Sequence, residues 1–189
     1  MQAVSDEQLI QWVAKGDSSC LGTLFERHHR AAYQYCLQMT RNPATSEDLV
    51  QEVFMRILRK AGSFRGEGSF KAWMFTIARN VTLNHLRRAK RQEPLPGNDE
   101  GFNEHLIDHR SAEDTAVDEE NVHLVSRALA CLPAGSREVI WLGRFEFENY
   151  AELAQALGCN PSTARVRMHR AMKQLNEAFT RINGAAINV

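Results

Sequence analysis

The run Asn149-Tyr-Ala-Glu-Leu-Ala-Gln-Ala-Leu-Gly-Cys-Asn160-Pro-Ser-Thr-Ala-Arg-Val-Arg-Met-His-Arg-Ala-Met-Lys-Gln-Leu175 decides the fold. Asn149, with Glu152 three residues on, can cap a short helix whose inner face is Leu153, Ala154 and Leu157. Gly158-Cys159-Asn160 is a turn, and Pro161 then takes the first position of a second helix that Asn160 caps. Ala154 is small where two such helices must approach, so the unit reads as a helix-turn-helix. Along the second helix Ala164, Met168, Ala171, Met172 and Leu175 repeat as a core stripe. Ser162, Thr163, Val166, His169, Arg170 and Lys173 then face outward, with Arg165 and Arg167 on the flanks. Hydroxyls and arginines at the start of such a helix are what insertion into a major groove requires.

Upstream of this unit, Val122, Val125, Leu129 and Leu132 predict a helix stopped by Pro133, and Ser136 with Val139, Ile140, Leu142 and Phe145 predicts another. Before that the helical period disappears. Residues 91–120 hold two Pro, two Gly, ten acids and two bases, the composition of a solvated tether. The expected organisation is therefore all-α: a helical domain over 1–91, an acidic flexible linker over 92–117, and a helix-turn-helix domain over 118–189. The 189-residue chain carries 23 Lys plus Arg against 23 Asp plus Glu, a net charge of zero. That neutrality divides into plus 5 for residues 1–90, minus 8 for 91–120 and plus 3 for 121–189. Two basic domains are offset by an acidic tether, which suggests that the tether competes for the basic faces and lowers the affinity of the free protein for DNA.

The N-terminal domain also reads as helices. Ser5 and Gln8 form a capping box before Leu9, Ile10, Trp12 and Val13; Asp17 or Ser18 starts a second helix, broken at Asn42-Pro43. A third, with Thr45 as its expected cap, repeats Leu49, Val50, Val53, Phe54, Ile57 and Leu58 at threes and fours. Its other face shows Asp48, Gln51, Glu52, Met55, Arg56 and Arg59. After the loop of residues 62–68, Ser69 can cap a long helix to about Arg91 whose core face holds Phe70, Trp73, Met74, Ile77, Ala78 and Val81. Phe75, Arg79, Leu83 and Leu86 fall on the opposite side, and residues 68–92 contain no acid. An aromatic among arginines is the chemistry of single-strand binding, where bases stack on rings. Packing of Phe75 on a neighbouring helix or loop is equally compatible with the composition.

Several classes are excluded. No apolar run approaches the length of a membrane span and the N-terminus lacks a signal-peptide pattern, so the expected location is the cytoplasm. Cys20, Cys36, Cys131 and Cys159 make neither a CxxC pair nor a disulfide ladder and read as buried apolar side chains. His105 with His109, and His28-His29 near Cys36, offer no metal-ligand quartet, and no nucleophile elbow or phosphate loop is present. Neither an enzyme activity nor a cofactor is expected.

Three stretches together resemble bacterial RNA polymerase sigma factors of the extracytoplasmic-function (ECF) family, over nearly the whole chain. Glu47-Asp-Leu-Val-Gln-Glu-Val-Phe54 resembles the family's core-polymerase-binding helix. Phe70-Lys-Ala-Trp-Met-Phe-Thr-Ile-Ala-Arg-Asn80, continued to Arg87-Arg88, resembles its promoter-melting helix, and Tyr150 to Leu175 resembles its C-terminal helix-turn-helix. The resemblance implies that Asp48, Gln51, Glu52, Met55 and Arg56, with Phe54 behind them, hold the clamp helices of the largest subunit of RNA polymerase core. It implies that Phe64, Arg65, Trp73, Phe75, Arg79, Asn80, Arg87, Arg88, Lys90 and Arg91 capture unstacked bases of the minus-ten element. Ser162, Thr163, Arg165, Val166, Arg167, His169, Arg170 and Lys173 would read the minus-thirty-five element as duplex. It also implies an anti-sigma factor, often a membrane protein. Asn84, Val166 and Met172 depart from the residues usual at those places, which bears on promoter sequence and not on class. The competing reading is a stand-alone helix-turn-helix regulator that acts without core polymerase.

Overall fold

A computed structural model describes residues 4–66, 68–92 and 116–186, and every regular element among them is helical. Helix α1 (Asp6–Ala14) opens with the expected capping box: the Ser5 hydroxyl accepts from the Gln8 N–H at 3.3 Å and Gln8 Oε1 from the Ser5 N–H at 3.2 Å. Helix α2 (Ser19–Thr40) starts where the sequence suggests: Ser18 precedes its first residue without a side-chain cap, and Asp17 accepts both the N–H and the hydroxyl of Ser19. Helix α3 (Pro43–Lys60) is capped by Asn42 and not by Thr45. Pro43, with φ preset and no N–H to satisfy, takes the first position, and Asn42 Oδ1 accepts the Thr45 N–H at 2.9 Å. A 3₁₀ turn (Ala61–Ser63) leads to α4 (Phe70–Gln92), where Ser69 caps as expected by accepting the Ala72 N–H at 3.2 Å.

The C-terminal unit comprises α5 (Ala116–Ala130), α6 (Ala134–Trp141), α7 (Tyr150–Leu157) and α8 (Pro161–Ala186). The start of α5 lies inside the stretch read as linker; most of that tether falls outside the described residues. Ser136 does not begin α6. The Pro133 carbonyl starts it by accepting from Ser136 and Arg137, and the Ser136 hydroxyl instead donates to Gln174 of α8 at 2.6 Å. A π turn (Leu142–Glu146) separates α6 from α7. Gly143 sits in that turn beneath α7 and α8: a Cβ there would collide with the Met168 and Leu153 side chains.

Each unit buries its own apolar stripe. Ile10, Leu24, Val53, Ile57, Phe70 and Met74 close the first; Leu142, Leu153, Leu157, Ala164 and Ala171 close the second. At about 25 cal/mol per Å² of apolar surface removed from water, this burial dominates the stabilisation of both. Of the four cysteines, Cys20 and Cys36 are buried as read, but Cys131 is exposed and Cys159 half-buried, since both stand at helix ends that the core does not cover. Burial pushes the Cys36 thiol up to about 11. The two units also pack on each other, α4 against α7 and α2 against α6.

Candidate polymerase and nucleic-acid surfaces

The helix-turn-helix is built as its residues require. Asn149 Oδ1 accepts the Glu152 N–H at 2.9 Å and Asn160 Oδ1 the Thr163 N–H at 2.7 Å, so both helix starts are satisfied. Gly158 adopts φ +64 at the end of α7, a left-handed conformation that glycine takes without strain. Ala154 and Ala164 are buried where α7 and α8 approach. Ser162, Arg165, Val166, Arg167, His169, Arg170 and Lys173 are exposed on α8, and Thr163 is half-buried. The Arg165 guanidinium lies over the Tyr150 ring, 5.2 Å from its centroid, which ties a side chain of α8 to the first residue of α7.

On α3, Asp48, Gln51 and Met55 are exposed, Glu52 and Arg56 are half-buried, and Phe54 is buried behind them. Glu52 Oε1 and Arg56 Nε pair one turn apart at 2.6 Å, and Phe54 is braced by an edge-on contact with Phe25 of α2. The result is a mixed polar face with one adaptable apolar residue, suited to reversible docking. Beside it a cleft of about 570 Å³ opens between α2 and α3, lined by Phe25, Tyr33, Glu47 and Gln51 among others.

The loop and α4 divide. Arg65, Asn80, Arg87, Arg88, Lys90 and Arg91 are exposed, and Phe64 and Trp73 are half-buried, edge-on to each other at 5.4 Å. Trp73 thus does not belong wholly to the core. Phe75 is not the exposed aromatic that its place opposite the core stripe suggests. It is fully buried, with Tyr35 of α2, Trp141 of α6 and Phe147 around it. The reason is that α4 has two apolar sides, and the second is covered by the C-terminal unit. Arg79 is likewise turned into that seam, its Nε 3.1 Å from Glu138 Oε1 though off hydrogen-bond alignment.

The seam contains the residues that sequence reading misses. Glu138 is buried between the two units and accepts the Tyr35 hydroxyl at 2.7 Å. Burial, then the Glu138 charge, holds the Tyr35 phenol well above its ordinary value, so it stays a donor. Lys71 of α4 reaches both Glu146 Oε2 (2.7 Å) and the Glu146 carbonyl (2.8 Å), and lies over the Phe147 ring. Thr76 Oγ1 donates to the Gln155 carbonyl at 3.1 Å, and Arg41 to the Ala130 carbonyl at 2.6 Å. Gly68, at φ +98, lies so close to the Gln155 side chain that a Cβ would clash with its amide. The one sequence signal for the seam is Glu138, an acid set between Arg137 and the apolar pair Val139-Ile140. Among the described residues no group of three or more His, Cys, Asp or Glu is placed to hold a metal ion, and no helix is long and apolar enough to cross a membrane. His105 and His109 lie outside the described residues.

A two-unit helical chain with a mixed-charge exposed face on α3, a basic α4 and a terminal helix-turn-helix has the architecture of a sigma-70-type transcription factor. Residues 24–92 match the family described as Sigma-70 region 2, and residues 123–175 match Sigma-70, region 4. The RNA polymerase sigma-H factor of Pseudomonas aeruginosa is 28% identical over 180 residues, covering 92% of this chain and 93% of that protein. The ECF RNA polymerase sigma factor SigX of Bacillus subtilis is 30% identical over 156 residues, 82% of this chain and 80% of SigX. Among solved structures, the sigma factor RpoE of Bartonella quintana, determined with the anti-sigma factor NepR, superposes with a TM-score of 0.63 at 28% identity, covering 84% of this chain and 96% of that one. The chain belongs to the ECF RNA polymerase sigma factors, which join core polymerase and direct transcription initiation at promoters.

Proposed function

We propose that the exposed face of α3, from Asp48 to Arg56, binds the clamp helices of the largest polymerase subunit. In this reading the loop after α3 and the outer face of α4 hold the unstacked minus-ten bases, and the first turns of α8 read the minus-thirty-five duplex. The protein acts in the cytoplasm, and an anti-sigma factor restrains it; the similarity to the NepR-bound sigma factor supports that partner.

The observation that carries the reading is the outward face of α8. On a satisfied helix-turn-helix, Ser162, Arg165, Arg167, His169, Arg170 and Lys173 are all exposed together, with no acid from Asn160 to Asn176 and only Glu177, 4.0 Å from Lys173, just beyond. Phe75 and Arg79 meanwhile lie in the seam against Trp141, Phe147 and Glu138, so they can reach nucleic acid only after the two units part. The packed arrangement is accordingly a resting form, and core polymerase selects the open one. The acidic segment between the units adds a second restraint by competing for the basic faces.

Run-off transcription with core polymerase on a randomised promoter library tests the assignment. Core-dependent transcripts that enrich two separated sequence elements are expected. Tight, specific promoter binding by the protein alone, with no transcript when core is added, would instead establish a stand-alone helix-turn-helix regulator.

A further inference from the structure

The outward face of α8 is polar except at one place. Among the described exposed residues of α7 and α8, Val166 is the single large apolar side chain, 49% accessible. Single exposed apolar residues are ordinary on protein surfaces. Its angular position separates it from those. Taking about 100° per residue, Ala164, Met168, Ala171 and Ala178 define the buried side of α8, and Val166 projects about 25° from the direction opposite to it. Ser162, one turn earlier, projects the same way. Arg165 leaves that line toward the Tyr150 ring, and Arg170 flanks it on the other side. Whatever groove receives the first two turns of α8 therefore meets Val166 at its floor, with charged side chains reaching along its walls.

A valine at the floor can neither donate nor accept a hydrogen bond, and its branched Cβ gives it lower helix propensity than Ala, Lys or Gln at the same exposed site. The major groove offers one apolar group, the 5-methyl of thymine. A cytosine N4–H₂ or guanine O6 in the same place would lose water and gain no partner. We propose that Val166 is a specificity-determining residue of this sigma factor, which selects thymine in the upstream promoter element by packing on its 5-methyl group. The proposal rests on the assignment of α8 as the duplex-reading helix.

Holoenzyme assembled from core polymerase and the full chain is used to enrich the upstream element from a randomised library. Each thymine of the enriched element is then replaced by uracil, on either strand, and relative affinity is measured by competition. One or two positions should lose about fourfold on removal of the methyl, the worth of one buried carbon. 5-Methylcytosine should outcompete cytosine at those positions. Val166→Ala and Val166→Ser should abolish both preferences while melting as the parent does, since the side chain is half in water. A flat uracil scan with the parent protein, or the same uracil penalty in both variants, overturns the proposal. If the enriched element still depends on Arg165→Ala and Arg170→Ala, only the Val166 proposal fails. If no upstream element is enriched, or those arginine changes leave it unaltered, the reading-helix assignment itself fails.

Discussion

The Tyr35 hydroxyl donates a 2.7 Å hydrogen bond to Glu138 Oε1 across 103 residues of sequence, joining α2 of the first unit to α6 of the second. The Glu138 side chain is 4% exposed, whereas the Arg79 side chain, which lies against the same carboxylate oxygen, is 26% exposed. The three groups are therefore unequal. Removing a donor strands a buried carboxylate, while removing Glu138 lets Arg79 turn toward water. Tyr35→Phe keeps the ring that packs on Phe75 and Trp141 and deletes only the donor. A hydrogen bond to a charged group contributes about 1.5–3 kcal/mol, enough to shift the packed form toward the open one by roughly tenfold or more. Small-angle scattering should report a larger radius of gyration for Tyr35→Phe, with transcription at saturating core undiminished. An unchanged scattering profile would show that the units part by another route.

The second polar contact of the seam can be tested by exchange. Lys71→Glu sets two carboxylates against each other near Phe147 and should open the molecule. Adding Glu146→Lys restores opposite charges across the same gap. The rescue is partial, because the Glu146 carbonyl, which also accepts from Lys71, cannot donate to the new glutamate. A coupling energy of about 0.5–3 kcal/mol from the four-member cycle is expected for groups in direct contact. Additive effects would mean that each residue acts separately.

The helices, the two-unit division and the helix-turn-helix are legible in the sequence because each depends on local information: period, cap and turn residue. Asn149, Gly158, Asn160 and Pro161 specify that unit with no help from distant residues, and the exposed face of α8 is as the period implies. Phe75 marks where that legibility stops. The wheel of α4 correctly places it away from Met74 and Ile77, but the partner that buries it, Phe147 with Trp141, lies beyond the linker. Local periodicity reports that a residue leaves one core and is silent on whether it enters another. Thr45 gives a smaller instance: it reads as the cap but lies inside the helix, because Pro43 occupies the first helical position and Asn42 becomes the cap.

Helix α1 is held to α2 through Asp6, which meets Arg27 at 2.6 Å and also contacts His28. Partial burial pushes the Asp6 carboxyl up, but its bonds to Arg27 and His28 outweigh that and leave it below its ordinary 3.8. A carboxyl whose folded pKa is depressed stabilises the fold above the unfolded value and loses that contribution as pH falls through the folded one. Asp6→Asn should therefore lower the melting temperature at pH 7, and the two melting temperatures should converge as pH drops below 3.8. A gap that persists unchanged into strong acid would show that shape, not charge, docks α1.

Tyr150 holds the Arg165 guanidinium over its ring before any DNA arrives. Pre-ordering spares part of the side-chain entropy that binding would otherwise cost. Tyr150→Ala removes an interaction of about 0.5–1 kcal/mol and should weaken upstream-element binding by roughly two- to fivefold. Tyr150→Phe keeps the ring face and should retain most of the affinity. Equal losses in the two variants would place the effect on the start of α7 and not on Arg165.

Arg170 and Lys173 occupy the later part of the outward face, and their distances along the groove separate their roles. Lys173 is 73% exposed and lies 4.0 Å from Glu177, a weak contact that phosphate can displace. As a flexible point charge it suits backbone contact, while Arg170, one turn beyond Val166, is placed to present its planar fork to a base edge. Lys173→Ala should weaken promoter binding by holoenzyme about equally for all sequences and reduce the log–log salt slope by about 0.9, one released counterion. Arg170→Ala should leave the slope nearer the parent value and relax preference at one base pair, costing about 1–3 kcal/mol there. The two signatures are read from the same titrations, so an exchange of them between the residues would reverse the assignment, and their absence in both would remove α8 from the promoter interface.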